Sequence, residues 1–296
     1  MEIKKYKVGI IGTGGIGGLL AILLTLKNKE VFCKNSLNSS NKKKFFLKSK
    51  FFGNKTTYLK FNNKIFRNYD LIILSTKYPD LKKTLKFIDH KTNKNIISLL
   101  NGINHIDLLK KKFKSKFIVS NIGKVVSYKK KNNMIIHNSN FSPEITISNN
   151  NKSIKQINLI KEIFKTLKIK IIIKKNENLV IWNKLIRINA ISAVTAFYDQ
   201  NLGKIINDDK KNLVLQQVLQ ETLNLMKKKK IKLSFASLMK EIQSLPNNLT
   251  TSMQRDLKSK KNSEIDTILG GILKEAKKEN IILKLNEKIY KYLKQQ

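Results

Sequence analysis

An α/β Rossmann-like domain followed by an all-α domain is the fold class that the sequence predicts, on three observations. A short β-branched run, "KVGII" at Lys7–Ile11, leads directly into the glycine-rich stretch "GTGGIG". Apolar runs of strand length then recur as far as residue 173. From residue 174 the apolar residues fall at helical spacing. The expected domains are therefore 1–173, binding a dinucleotide, and 174–296, helical and carrying substrate and catalytic groups. No Pro-, Gly- or Ser-rich linker separates them, so the boundary is a change of pattern.

The first element is the most informative. "KVGII" reads as a buried strand, and "GTGGIG" fits G-x-G-x-x-G at Gly12, Gly14 and Gly17. In such a turn the first glycine permits the tight bend. The second lets a pyrophosphate approach the backbone, and the third lets helix and strand pack closely. Gly12, Thr13, Gly14, Gly15, Ile16 and Gly17 are thus the candidate cofactor turn, and "GGLLAILLTLKNK" supplies the helix whose first amides face the phosphates. The same region, Val8–Leu26, is uncharged and long enough to span a bilayer. Six of the chain's 12 glycines lie in it, each costing about 1 kcal/mol in a helix. "KNKEVF" after Leu26 offers no signal-peptidase site. The strand–turn–helix reading accounts for the glycines, and no membrane association is expected.

"EVFCKN" forms the second strand. An acid at its end would bind a ribose 2′-hydroxyl and favour NAD. Lys34, Asn35 and Ser36 stand there instead, and Lys34 suits a 2′-phosphate, which leans towards NADP. "YDLIILSTK", "NIISLLNG" and "KFIVSNIG" are further strands. Thr76, Lys77, Asn101 and Gly102 occupy strand ends, where ligands gather in open parallel sheets, though each alone is ordinary turn chemistry. "NMIIHN" and "EITIS" read as strands, with a hairpin as one option; "NKSIKQINLIKEIFKTL" reads as a helix and "KIKIIIKK" as a strand. Beyond them come "ENLVIWNKLIRINAISAVTAFYD" and several more helical stretches.

Lys and Arg total 60 against 20 Asp and Glu, a formal charge of +40. Such a charge suggests nucleic acid. The lysines are spread over every apparent helix and loop, beside abundant Asn and Ile, and form no stripe with aromatic residues. Compositional drift explains them better, so no specific nucleic-acid partner is expected, only salt-sensitive attraction to polyanions. Cys33 is the single cysteine, which excludes an intrachain disulfide and suits a reducing compartment, here the cytoplasm. His90, His105 and His137 are widely separated, and no metal-binding spacing occurs.

Taken in order, "GTGGIG", "STK" at Ser75–Lys77, "LLNG" at Leu99–Gly102, "WNKL" at Trp182–Leu185 and "TTSMQRDLKSKKNSEID" at Thr250–Asp266 resemble the ketopantoate reductase (2-dehydropantoate 2-reductase) family over nearly the whole chain. The resemblance implies a C-terminal domain of the 6-phosphogluconate-dehydrogenase-like group. It also implies NADPH-dependent reduction of 2-dehydropantoate to pantoate, a step towards pantothenate and coenzyme A. Reducing a ketone leaves an alkoxide that needs charge and a proton, and an ammonium supplies both. Lys184 matches the family's general acid, and it sits in the otherwise apolar "VIWNKLIRI", where a lysine needs a partner or a task. Glu264 matches its carboxylate, anchoring Lys184, the nicotinamide ribose or the substrate hydroxyl. Ser252 matches a substrate-binding serine, Asn101 an asparagine between cofactor and substrate, and Lys77 a lysine near the nicotinamide. Val125 to Ser127 would give a backbone contact to the cofactor.

The family often carries asparagines four and eight residues past the lysine, where this chain has Ile188 and Ser192; Asn189 lies one step off, about 100° round the helix, and is kept as a substrate candidate. Leu202, with Asn201 beside it, replaces a further asparagine before Gly203. These departures leave two other readings open: a reductase of another small 2-keto acid, or a non-catalytic basic nucleotide- or RNA-binding protein. A homodimer is compatible with all three.

Overall fold

The computed structural model describes residues 6–34 and 41–296; Asn35 and Ser36 lie outside them. The chain divides into two compact units, Met1–Leu100 with His105–Val180, and Asn101–Asn104 with Ile181–Gln296.

The first unit is α/β. It begins with β1 (Lys7–Ile11), α1 (Gly15–Leu26) and β2 (Glu30–Lys34). A hairpin of β3 (Lys42–Ser49) and β4 (Lys55–Phe61) follows, then β5 (Leu71–Leu74), α2 (Tyr78–Leu85), β6 (Asn95–Ser98), α3 (Ile106–Phe113) and β7 (Phe117–Ile118). The remainder is β8 (Ser120–Gly123), β9 (Ser127–Lys129), β10 (Met134–His137), β11 (Glu144–Ser148), α4 (Ile154–Phe164) and β12 (Lys170–Lys174). Among the described residues, nine strands make one sheet in the order β7-β6-β5-β1-β2-β4-β3-β10-β9, and β12-β11-β8 make another. From β7 to β4 every pairing is parallel. Where such a sheet is covered on both faces, at its centre, its strands have no solvent-facing side. β5 and β6 accordingly have no exposed position, and Val8, Ile10 and Ile11 of β1 are fully buried.

The β3–β4 hairpin was not legible in the sequence. Its inward residues, Phe45 and Leu47, alternate with the outward lysines Lys42, Lys44 and Lys48, and in so lysine-rich a chain that alternation is lost against the background. "NMIIHN" and "EITIS" do form strands, but not a shared hairpin. β10 pairs with β3 and β9, while β11 pairs with β8 and β12. "KFIVSNIG" likewise divides at Val119 into β7 and β8, which belong to different sheets.

The uncharged stretch Val8–Leu26 is strand, turn and helix, and α1 has only 12 residues. Ser75, just past β5, fastens the turn: its amide donates to Ile11 O at 2.9 Å and its hydroxyl to Gly12 O at 2.7 Å. Gly17 is required by close approach. A Cβ there would lie 1.9 Å from Gly12 O and 2.3 Å from Ser75 Oγ. β1 has β2 on one side and β5 on the other, so the turn sits where the strand order reverses, the usual ligand position in open α/β sheets.

The second unit is helical. α5 (Glu177–Phe197) starts in the first unit and runs into the second, followed by α6 (Leu202–Ile206), α7 (Asp209–Lys228), α8 (Phe235–Gln243), α9 (Ser252–Lys258), α10 (Ile265–Lys278) and α11 (Lys284–Lys294). By length and composition α5 could cross a membrane, yet its Ile186, Ala190, Ala193 and Val194 are fully buried within the protein. A polar network fixes it among its neighbours. The Glu221 carboxylate on α7 accepts from the amides of Leu285 and Asn286 at 2.9 and 3.0 Å, capping α11 from outside. It also accepts from Asn286 Nδ2 at 2.8 Å, and Asn286 Oδ1 accepts from Asn189 Nδ2 on α5 at 2.6 Å.

Replacing Gly17 by alanine forces the turn and α1 apart. Gly17→Ala should lower stability by about 1–3 kcal/mol, read as a lower urea midpoint.

Candidate active site

The segment Asn101–Asn104 follows β6 closely in sequence and is held against α10. Gly102 has φ +79°, and a Cβ on it would meet Thr267 O at 2.2 Å. Asn104 Nδ2 donates to Asp266 O at 3.2 Å. Asn101 is thereby placed beside Glu264, the residue that opens α10. Glu264 is buried, and its carboxylate makes no capping bond to its own helix. It accepts from Asn101 Nδ2 at 2.9 Å. On its other edge Asn101 Oδ1 accepts from Lys184 Nζ at 3.0 Å.

A carboxylate only accepts and an ammonium only donates, so an amide between them has one satisfying orientation. Lys184, Asn101 and Glu264 therefore form a directed relay in which the amide dipole faces a positive group with its oxygen and a negative group with its nitrogen. Lys184 is half-buried as a residue. Desolvation of its amine, with Arg187 adding to it, lowers its pKa from 10.5 to about 8, against the opposing charge of Glu264. At neutral pH the group is an ammonium whose proton is exchangeable near working pH, as a general acid requires.

The other candidates are distributed as follows. Ser252 is the exposed first residue of α9, whose cap, Thr251, lies 3.2 Å by its hydroxyl from that of Thr195 on α5. Ser252 makes no hydrogen bond to the relay among the described residues. Asn189 is not at the site. It is fully buried, and its amide donates to Asn286 and Thr222 in the network behind α5, because a step of 100° turns it from Lys184's face. Ile188 and Ser192, four and eight residues past Lys184, keep that face, with Ile188 half-buried and Ser192 buried.

In the first unit, the turn fits a pyrophosphate. Gly14, at the cap of α1, is exposed, and nothing lies within 4 Å of where its Cβ would be. The first turn of α1 has no side-chain cap and no acid, which leaves its amides for an anion. Thr13 is buried, and Ile16 is half-buried beside the hydrophobic core. Ser127 Oγ donates to Gly15 O at 3.0 Å, setting the 125–127 segment against the turn. Lys77 stands at the residue before α2 and is half-buried.

Lys34 departs from expectation. Its side chain is buried, its ammonium donates to Asn63 O at 3.0 Å and lies 3.8 Å from the centre of the Phe87 ring. A lysine so engaged is a structural tie for the 62–63 loop. Sequence reasoning also passed over Arg187, although its position three residues beyond Lys184 on one helix was there to be read.

Asn189→Ala should lower stability by about 1–3 kcal/mol by leaving the buried Asn286 Oδ1 without its donor, with substrate KM unchanged. Glu264→Gln removes the charge that supports the ammonium. The Lys184 side-chain chemical shift, followed against pH, should then titrate lower than in the parent protein.

Residues 8–152 match the family described as ketopantoate reductase PanE/ApbA, and residues 176–296 match its C-terminal domain. The protein named uncharacterized oxidoreductase YkpB, from Bacillus subtilis (strain 168), is 21% identical over 292 residues, covering 95% of both chains. Among solved structures, a dimeric ketopantoate reductase from Staphylococcus aureus superposes with a TM-score of 0.80 at 20% identity over 98% of both chains. A D-mandelate dehydrogenase solved with NADH and anilino(oxo)acetate gives 0.85 at 18% identity over 98% of this chain and 97% of that one. At these identities the structures establish the fold, and the two family matches establish the lineage: the chain belongs to the ketopantoate reductase PanE/ApbA family.

Proposed function

We propose that this protein is a cytoplasmic, NADPH-dependent reductase of a small 2-keto acid, converting 2-dehydropantoate to pantoate for pantothenate and coenzyme A synthesis. The observation that carries the reading is the Lys184–Asn101–Glu264 relay, a desolvated ammonium held by an amide that is itself held by a buried carboxylate. When bound, the nicotinamide supplies a hydride equivalent. Lys184 presents its ammonium to the ketone oxygen, stabilises the charge that develops there and gives it a proton. Asn101 fixes the direction of that ammonium, and Glu264 keeps it charged. Ser252 offers a hydroxyl to the substrate, and the Gly12–Gly17 turn holds the pyrophosphate.

A nicotinamide cofactor is supported by this turn and by the NADH-bound relative. A homodimer is the proposed assembly, supported by the dimeric relative. One observation favours a second substrate. Ile188, one turn past Lys184 on the same helix face, offers no hydrogen bond where the family often has asparagine, which suits a 2-keto acid carrying a more apolar side chain.

The test is the loss of NADPH absorbance with purified protein and a panel of 2-keto acids, 2-dehydropantoate first. Lys184→Ala should lower kcat by about 10²–10⁴-fold while nucleotide affinity is retained. Unchanged turnover would remove Lys184 from the mechanism. In the parent enzyme kcat for reduction should fall as pH rises through about 8, because the proton donor is then lost.

A further inference from the structure

The reading above leaves the acid group of the substrate without a cation. In a 2-keto acid the carboxylate is bonded directly to the ketone carbon, so a group that receives it must stand close to Lys184. On α5 only one other cation is present. Arg187 lies three residues on, about 60° round the helix and one turn up, where side chains are neighbours. It is near enough to depress Lys184's proton affinity.

The residue type is itself informative. Of the chain's 60 cations, only three are arginines, Arg67, Arg187 and Arg255. Where a position needs only positive charge, lysine has been taken almost everywhere. An arginine in such a background marks a place where the planar fork matters, and the fork matches a carboxylate. Arg187 already shows that use. Its Nη1 donates to the Glu241 carboxylate on α8, and its Nε donates to Asn183 O at 3.0 Å, which braces the guanidinium along its own helix. Nη2 has no hydrogen-bond partner among the described residues, and the side chain is 33% exposed. The fork is thus held by two bonds and partly exposed, with Nη2 left over among the described residues.

We propose that Arg187 is the residue that recognises the substrate's carboxylate, taking it at the Nη2 edge, and so selects 2-keto acids over neutral ketones. This rests on the reductase reading.

The test compares a 2-keto acid with its methyl ester, in the parent enzyme and in Arg187→Gln, Arg187→Lys and Glu241→Gln. Arg187→Gln should raise KM for the acid by about 10- to 100-fold, the usual worth of a charge-assisted bond. KM for the ester and the affinity for NADPH should not change. Arg187→Lys should recover the acid only in part. Glu241→Gln, which breaks the ion pair but keeps the guanidinium, should not raise KM for the acid. Equal losses for acid and ester, or a Glu241→Gln variant as impaired as Arg187→Gln, would overturn the proposal by showing a structural role. A second arm needs no turnover. Oxamate, a 2-keto-acid analogue that is not reduced, is titrated by calorimetry in the presence of NADPH. Binding that is lost in Arg187→Gln supports the assignment, and binding that persists, or is absent in the parent, defeats it. An enzyme that reduces no 2-keto acid would sink the reductase reading, while the oxamate arm still decides Arg187.

Discussion

An ammonium drawn partly out of water must be compensated, and the second unit is organised around that requirement at Lys184. Direct contact with a carboxylate would hold the proton tightly and raise the pKa. The amide of Asn101, placed between Lys184 and Glu264, gives a gentler compensation. It transmits the favourable field of the carboxylate through its own dipole. The balance leaves desolvation ahead, so the group titrates at about 8 and remains a usable acid.

That balance holds only if three chain segments keep their places. Gly102 lets the 101–104 segment lie against Thr267, so that Asn101 meets Glu264 at the start of α10. The rotation of α5 about its axis is set from behind by Asn189, Asn286 and the Glu221 carboxylate. Lys229 adds a further tie, from the end of α7 to Glu275 of α10 and Glu279 just past it, at 2.9 and 3.0 Å with under a third of each side chain exposed. Most other ion pairs join well-exposed lysines, such as Lys291 to Glu287, and contribute little to stability. The +40 charge is largely of this solvated kind. Lys34 is an exception, since its buried ammonium is matched by carbonyls and the Phe87 ring.

Much of the fold was legible because it follows from local rules. The glycine turn announces itself, since only glycine suits the spacing and approach at Gly12 and Gly17. The central strands β1 and β5 are rich in β-branched and leucine residues because both of their faces are covered, and the helices of the second unit repeat their apolar residues at the helical period. What escaped notice was the β3–β4 hairpin, where a two-residue period is hidden when lysine fills both surface and background. The partners of β10 and β11 also escaped, because pairing between distant strands leaves no mark on either sequence.

At the site, the sequence by itself determined the chemistry available: a lysine in an apolar helix, a scarce acid, an asparagine after a strand, and an arginine one turn from the lysine. Tertiary structure alone decided which of these meet. Asn101 and Glu264 are 163 residues apart and become neighbours only when the 101–104 segment lies on α10. Asn189 and Lys34 carry plausible side chains that folding assigns to the interior instead. The reason is physical: the type of a residue fixes what bonds it can make, but the direction of a side chain depends on helix phase and on groups remote in sequence, which no local pattern records.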